Sequence, residues 1–418
     1  FVVNELSDNV SVINASSFRP IGSIPVGHAP LALALDPASQ TLYVINSNFS
    51  YQEALGGLIG NGSLTWVNAT TLAVGGNLSL GQVPTDILYG PAGDLYAVSL
   101  DSCRLSTIDP ATQSILASVP LPAGSCGAGL PKGCPYSMVP IPGSATLAYD
   151  ASNGLLYVGV TNVTTPCHYT NSVEAFDLSN DSWVYGRTVP LGMDGFGNST
   201  VAQIAYDPEI PAVLAEFSGN GSAGRLAALD PTGLSTIGIR SINGTLLGLR
   251  YETALREVLW TNGLTARVTR ANSTTLVPVT RYAVGANPIA VAAASNLGSV
   301  AVAEYAQNSV VLLNATQGSV VGAWPVGLEP SALAYDPQTE ELAVANSGSG
   351  NLTILNLSLR HAVATVAIGG EPSGVAFDRA NDSWWVAGGN SGTLTEIGVG
   401  TDRVERIVPV DPRGSSPA

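Results

Sequence analysis

Residues 328–370, LEPSALAYDPQTEELAVANSGSGNLTILNLSLRHAVATVAIGG, decide the fold. They read as four short strands. Residues 331–335 are small and apolar and run into the turn pair Asp336-Pro337. Residues 341–345 alternate apolar with polar and stop at Asn346 and a Ser-Gly cluster. Residues 351–355 and 362–368 alternate again, the last before a Gly pair. Period-two alternation bounded by Gly, Pro, Asn and Asp is the strand signal, and no helical period competes with it. The unit then recurs: Pro288, Pro330 and Pro372 stand 42 residues apart, as do Asp336 and Asp378. Four strands per period of about 40 residues are the mark of a β-propeller, one blade per repeat.

Three further stretches make the pattern specific: FVVNELSDNVSVIN (1–14), LYVINS (42–47) and LAVANSGSGNLTILN (342–356). They resemble the YVTN family of β-propeller repeats, found in surface and secreted proteins of archaea and bacteria. The resemblance extends over nearly the whole chain and is weakest between Gly195 and Asn272. It implies a fold and a cell-surface setting rather than a reaction, because propellers host many unrelated functions.

The third strand keeps the best register. Its copies are NVSVIN (9–14), SLTWVN (63–68), RLSTID (104–109), SVEAFD (172–177), RLAALD (225–230), RVTRAN (267–272), SVVLLN (309–314), NLTILN (351–356) and TLTEIG (393–398). That gives nine third strands against eight first strands, because Phe1 opens inside a second strand. The expectation is one all-β domain over residues 1–418, a single β-propeller of about eight four-stranded antiparallel blades, with seven or nine as the alternatives. Longer intervals mark insertions near 48–61, 123–143 and 161–171. Alternate connections of an antiparallel blade emerge at opposite ends, so all three insertions belong to one loop face. Loops carry function more often than strands, which makes that face the expected surface for protein or glycan partners.

Composition narrows the setting. Of 418 residues 45% are hydrophobic and only 11% charged, with 46 Gly and 27 Pro, as suits a turn-rich β chain. The net charge is -15 and Lys132 is the sole lysine, so nucleic acid, which needs clustered bases, is not an expected partner. Few ionisable groups also suit an acidic habitat. No apolar run reaches the roughly 18 residues of a membrane span. No signal peptide is seen, although Phe1 starting in mid-strand suggests a processed start, and residues 413–418, RGSSPA, read as the beginning of a linker.

Cys103, Cys126, Cys134 and Cys167 lack the paired C-x-x-C spacing of a zinc site. All four fall on the loop face within one sector, which favours two disulfides and an oxidising compartment, with three connectivities open. Asn-x-Ser/Thr sequons occur at Asn9, Asn14, Asn48, Asn61, Asn68, Asn77, Asn162, Asn180, Asn198, Asn220, Asn243, Asn272, Asn314, Asn351, Asn356 and Asn381. Asn14, Asn68, Asn272, Asn314 and Asn356 close third strands, where Asp109, Asp177 and Asp230 stand in sister repeats, so turn formation explains those five. The remainder point to N-glycosylation of an exported protein.

Chemistry is scarce. Asp36, Asp150, Asp207, Asp336 and Asp378 end first strands repeat after repeat and read as turn formers. His28, His168 and His361 are far apart in the repeat order, and Trp384 with Trp385 reads as packing between blades rather than a sugar platform. No G-x-S-x-G, P-loop or H-E-x-x-H is present, and no catalytic residue, metal or cofactor is expected. The reading is a non-enzymatic extracellular glycoprotein, a structural or adhesive part of a cell surface, sheath or fibre. Its alternative is a secreted propeller enzyme, a lactonase, hydrolase or cofactor-binding oxidoreductase working at a central channel. Residues 1–27 supply a second, third and fourth strand without a first. That surplus predicts self-association into a filament or lattice, with Phe1, Val3, Val10 and Val12 as assembly candidates.

Overall fold

Burial follows strand order within each repeat, and the sequence shows why. In the repeat of residues 328–370, the second strand Glu341–Asn346 is buried throughout, whereas the fourth strand His361–Ala367 is mostly exposed. A strand packed on both faces can carry a near-continuous apolar run, as Leu342, Ala343, Val344 and Ala345 do. Register keeps the apolar residues together: Leu342 faces Leu355, which in turn faces Ala362. All pairings are antiparallel, each strand hydrogen-bonding the next in sequence.

The computed structural model describes residues 1–14, 20–48, 61–99, 102–122, 146–165, 168–184, 189–190, 199–207, 212–219, 223–243, 246–252 and 257–410. Among these residues there are nine antiparallel sheets, and they are the blades of a β-propeller. Helical structure among them is limited to 3-10 turns such as Glu5–Ser7 and Ser295–Leu297. Nine is one of the counts that the repeat pattern allowed. Val2–Asn4, Asn9–Ile13 and Pro20–Pro25 form a sheet of their own, three-stranded among the described residues, so the surplus strands are a blade in their own right. Third strands, which close on a turn and keep register, were the better guide to blade number.

The chain forms two compact units. One holds Phe1–Val12 and Ile21–Ser241, and the other Ile13–Pro20 and Ile242–Pro417. Numbered in chain order, the nine blades cover residues 2–25, 30–79, 84–120, 146–190, 199–243, 246–283, 288–325, 330–367 and 372–409. In the first unit, Val10 and Val12 of blade 1 pack on Leu42 and Val44 of blade 2. Tyr43 and Ile45 of blade 2 pack on Ile87 and Leu95 of blade 3, and Tyr96 and Val98 of blade 3 on Leu156 and Val158 of blade 4. In the second unit, Leu312 of blade 7 meets Leu342 and Val344 of blade 8, and Ala343 and Ile354 of blade 8 meet Trp384 and Val386 of blade 9. Each such side chain contributes about 1.5–3 kcal/mol when fully buried, so the faces between blades are the core.

Two irregularities recur. Where a blade opens on proline, the register slips after it, between Pro30 and Ala32, Pro84 and Asp86, Pro288 and Ala290, Pro330 and Ala332, and Pro372 and Gly374. The preceding residue is left-handed in four of these, at Ala29, Val83, Asn287 and Glu329, so the chain turns sharply into each first strand. The fourth strand bulges as well. Leu116 stands between Ile115 and Ala117, which pair with Ile108 and Thr107, and Val279 and Val363 occupy the same place in blades 6 and 8. A bulge spoils the hydrogen-bonding row of an exposed edge strand and so discourages unwanted pairing.

The insertions divide. Residues 49–60 and 123–143 lie outside the described residues. Residues 161–165 and 168–171 extend the second and third strands of blade 4 as a hairpin, Leu155–Thr165 pairing with His168–Asp177.

Candidate functional site

Each blade has a loop end, where it is joined to its predecessor, and a turn end, where short Asx turns reverse the chain. At the turn end, Asp36, Asp150, Asp336 and Asp378 each accept the backbone N–H two residues on, at 2.8–2.9 Å. Asn68, Asp109, Asp177, Asp230, Asn272 and Asn314 do the same where third strands close. These side chains are turn formers, as their recurrence in the sequence suggests.

Blade 3 departs from the rule. Its first turn, Gly90-Pro91-Ala92-Gly93, has glycine where blade 2 has Asp36, and it is closed by the Gly90 N–H donating to the Asp94 carbonyl at 2.8 Å. Asp94 stands where blade 2 has Gln40, and its side chain lines a groove of about 660 Å³ between the turn ends of blades 2 and 3. Asp36 and Asp109 line the same groove, together with Tyr43, Trp66 and Tyr89. Trp66 lies along the backbone of the next strand. A Cβ on Gly75 would come within 2.6 Å of its ring and one on Gly76 within 2.4 Å, so the glycine pair is what admits the indole.

The three carboxyls differ electrostatically. The Ser39 hydroxyl, at 2.5 Å, holds the Asp36 carboxyl below the usual range, with further help from backbone N–H groups and the Tyr89 hydroxyl. Asp109 is likewise held down, first by the Thr112 hydroxyl at 2.6 Å and then by the Ala111 N–H. Asp94 moves the other way: burial pushes its pKa up, and the neighbouring Asp109 and Asp181 push it further. No lysine or arginine lines the groove.

A second carboxylate breaks the repeat on a first strand. Asp86 stands where sister blades have Ala32, Ala290, Ala332 and Gly374. It accepts from the Ile87 N–H at 2.9 Å and from the Leu147 N–H of blade 4 at 2.9 Å. Burial nonetheless raises its pKa.

The residues singled out by sequence are dispersed. Cys103 is half-buried in the left-handed turn before the third strand of blade 3, its carbonyl accepting the Leu121 N–H at 2.9 Å. Cys126, Cys134 and Cys167 lie outside the described residues. Asn14, Asn61, Asn68, Asn77, Asn180, Asn272 and Asn381 are exposed, and Asn48, Asn314, Asn351 and Asn356 are half-buried. Asn9 is only 8% exposed, and its Nδ2 donates to the Ser7 carbonyl at 3.0 Å. Asn198 and Asn220 lie outside the described residues, as do the side chains of Asn162 and Asn243. Val10 and Val12 sit in the core between blades 1 and 2, whereas Val3 is half-buried and Phe1 exposed. His28 is 3.1 Å from the Asp8 carboxylate, and His361 is exposed at the start of a fourth strand. The side chain of His168 is outside the described set. Trp384 is wholly buried between blades 8 and 9, 5.0 Å from the Phe377 ring.

The groove residues were not assembled by sequence reasoning, although one signal was there: YGPAGD at 89–94 departs from LDPASQ at 35–40. No family model matches the chain, and no curated protein does. Solved structures do. A dihydro-heme d1 dehydrogenase, NirN, in complex with DHE superposes with a TM-score of 0.50 at 11% identity, over 97% of this chain and 69% of that one. Hydrazine synthase of Kuenenia stuttgartiensis gives 0.44 at 17% identity, over 89% and 96%. At such identities the likeness to the dehydrogenase is one of fold.

Proposed function

We propose that this propeller is a non-enzymatic structural or adhesive component of a cell surface, sheath or fibre, of the YVTN type, which self-associates through its first blade. The observation that carries the reading is the edge strand Val2–Asn4. Among the described residues it pairs with Asn9–Ile13, in a sheet of three strands where the other sheets have four or more. A sheet short of a strand can accept one from another copy, and main-chain bonds then set the register. The contrast with the outer edges supports this choice. Those of blades 2, 3, 6, 7, 8 and 9 are interrupted by a bulge, whereas Val2, Val3 and Asn4 pair without a slip. Head-to-tail addition of this kind does not close on itself, so it builds a filament. The many exposed sequons, the sparse charge and the cysteine-bearing loop sector suit an extracellular, glycosylated and disulfide-linked protein.

Deleting residues 1–27 is the direct test. The full chain should form filaments or higher oligomers by electron microscopy and light scattering, and the truncated chain folded single particles. A monomeric full chain, or a truncated one that assembles equally well, would overturn the reading.

A further inference from the structure

We propose that the groove between the turn ends of blades 2 and 3 is a receptor for a basic side chain, lysine or arginine, presented by a partner polypeptide. The site is separate from the strand edge of blade 1, and the two readings stand or fall independently.

The lining favours a cation over other small groups. Asp36 and Asp109 are fixed by donors on their own turns, Ser39 and Ala38 for one, Thr112 and Ala111 for the other. Both are held below the usual carboxylate range, and both line one groove. Asp94 lines it too. Among the described residues no donor satisfies its carboxylate, no base lines the cavity, and its ionisation is opposed by burial and by Asp109. An incoming cation supplies the missing partner and relieves that repulsion. Charge-assisted hydrogen bonds to carboxylate are the strong ones, and a guanidinium or ammonium has donors only.

The aromatic residues point the same way. Tyr43, Trp66 and Tyr89 give the groove π-faces and edges beside the carboxylates. A cation within reach of a ring and desolvated from one side gains from both. One face of Trp66 is covered by the Gly75-Gly76 backbone, so the ring offers at most its other face. At about 660 Å³ the groove has the volume of a small-ligand site, enough for a basic side chain and its flanking residues. The protein has 31 acidic residues against 16 basic ones, so long-range attraction also favours a basic partner.

The test uses the full chain and saturation-transfer NMR with acetyl-Gly-Arg-Gly-amide, its lysine and glutamate counterparts, and maltotetraose. Asp94→Asn removes the charge without touching a turn-capping bond. Asp382→Asn, on a turn of blade 9, removes the same charge elsewhere. The arginine and lysine peptides should bind and the glutamate peptide and the sugar should not. Asp94→Asn should weaken binding by about two- to fivefold, and Asp382→Asn should leave it unchanged. Equal weakening by both variants would mean unspecific attraction to an acidic protein. That outcome, binding of maltotetraose in place of the basic peptides, or no binding at millimolar peptide would each overturn the proposal.

Discussion

The Asp86 carboxylate, on the first strand of blade 3, accepts the Leu147 N–H, on the first strand of blade 4, at 2.9 Å. Sister blades place alanine or glycine there, so this bond ties two neighbouring blades at a point where others rely on close packing. Asp86→Ala would leave the Leu147 N–H unpaired in a largely dry environment, at a cost of about 1–3 kcal/mol. Asp86→Asn keeps a carbonyl acceptor and should lose less. Urea unfolding of the three proteins decides it, and equal stability of wild type and Asp86→Ala would show that the bond carries nothing.

Trp66 owes its position to the absence of two side chains. Gly76→Ala would put a Cβ within 2.4 Å of the indole Cζ2, and the backbone behind it is held by pairing with Trp66 itself. The ring must move, which at a packed site costs about 1–3 kcal/mol. The expected result is a shifted tryptophan emission with lower stability. Emission and stability both unchanged would mean the indole has room that the structure does not show.

How much of this was legible in the sequence depends on whether a feature repeats. Asx turns at Asp336 and Asn314 could be read because the same side chain does the same work in sister blades, within a few residues. The groove could not, because its parts deviate from the repeat. Asp94 replaces the Gln40 of blade 2, and Asp36, which lines the same groove, belongs to another blade. Contacts between blades join residues such as Tyr43 and Ile87, which no local period connects. Blade number was read more directly from third strands than from first strands, because the described residues of one blade include no first strand.

Glycan occupancy should follow exposure rather than the sequon count. Asn68 and Asn272 use Oδ1 to cap turns and remain exposed, so a sugar on Nδ2 leaves the cap intact. Asn9 differs, since its Nδ2 donates to Ser7 and its Oδ1 accepts from Asn4 at 2.7 Å. In a glycosylating host, peptide mapping should find Asn68 and Asn272 modified and Asn9 bare. Substantial modification of Asn9 would mean that blade 1 is open when the sugar is added.

The last expectation concerns acid. Glu341 and Glu257 both begin second strands, in blades 8 and 6. Glu257 meets Arg270 at 2.7 Å, but no base pairs with Glu341 among the described residues. Glu341 is 8% exposed, its Oε2 has no donor, and it faces Asp402 of blade 9, whose own pKa is raised by burial. Burial pushes the Glu341 pKa up, Asp402 and then Asp336 push it further, and only the Thr339 hydroxyl opposes them. A carboxyl with a raised folded-state pKa holds its proton more tightly folded than unfolded. Its stabilising contribution is therefore full below the unfolded pKa and is lost as pH rises through the folded one. Glu341→Gln, neutral at every pH, should melt higher than wild type at pH 7 and converge with it near pH 3, below the ordinary glutamate value of about 4.3. Asp402→Asn, which removes the neighbouring charge, should shrink that gap. Calorimetric Tm values at the two pH values measure both effects. A Glu341→Gln protein less stable than wild type at pH 7 would show that the ionised carboxylate has a stabilising partner after all.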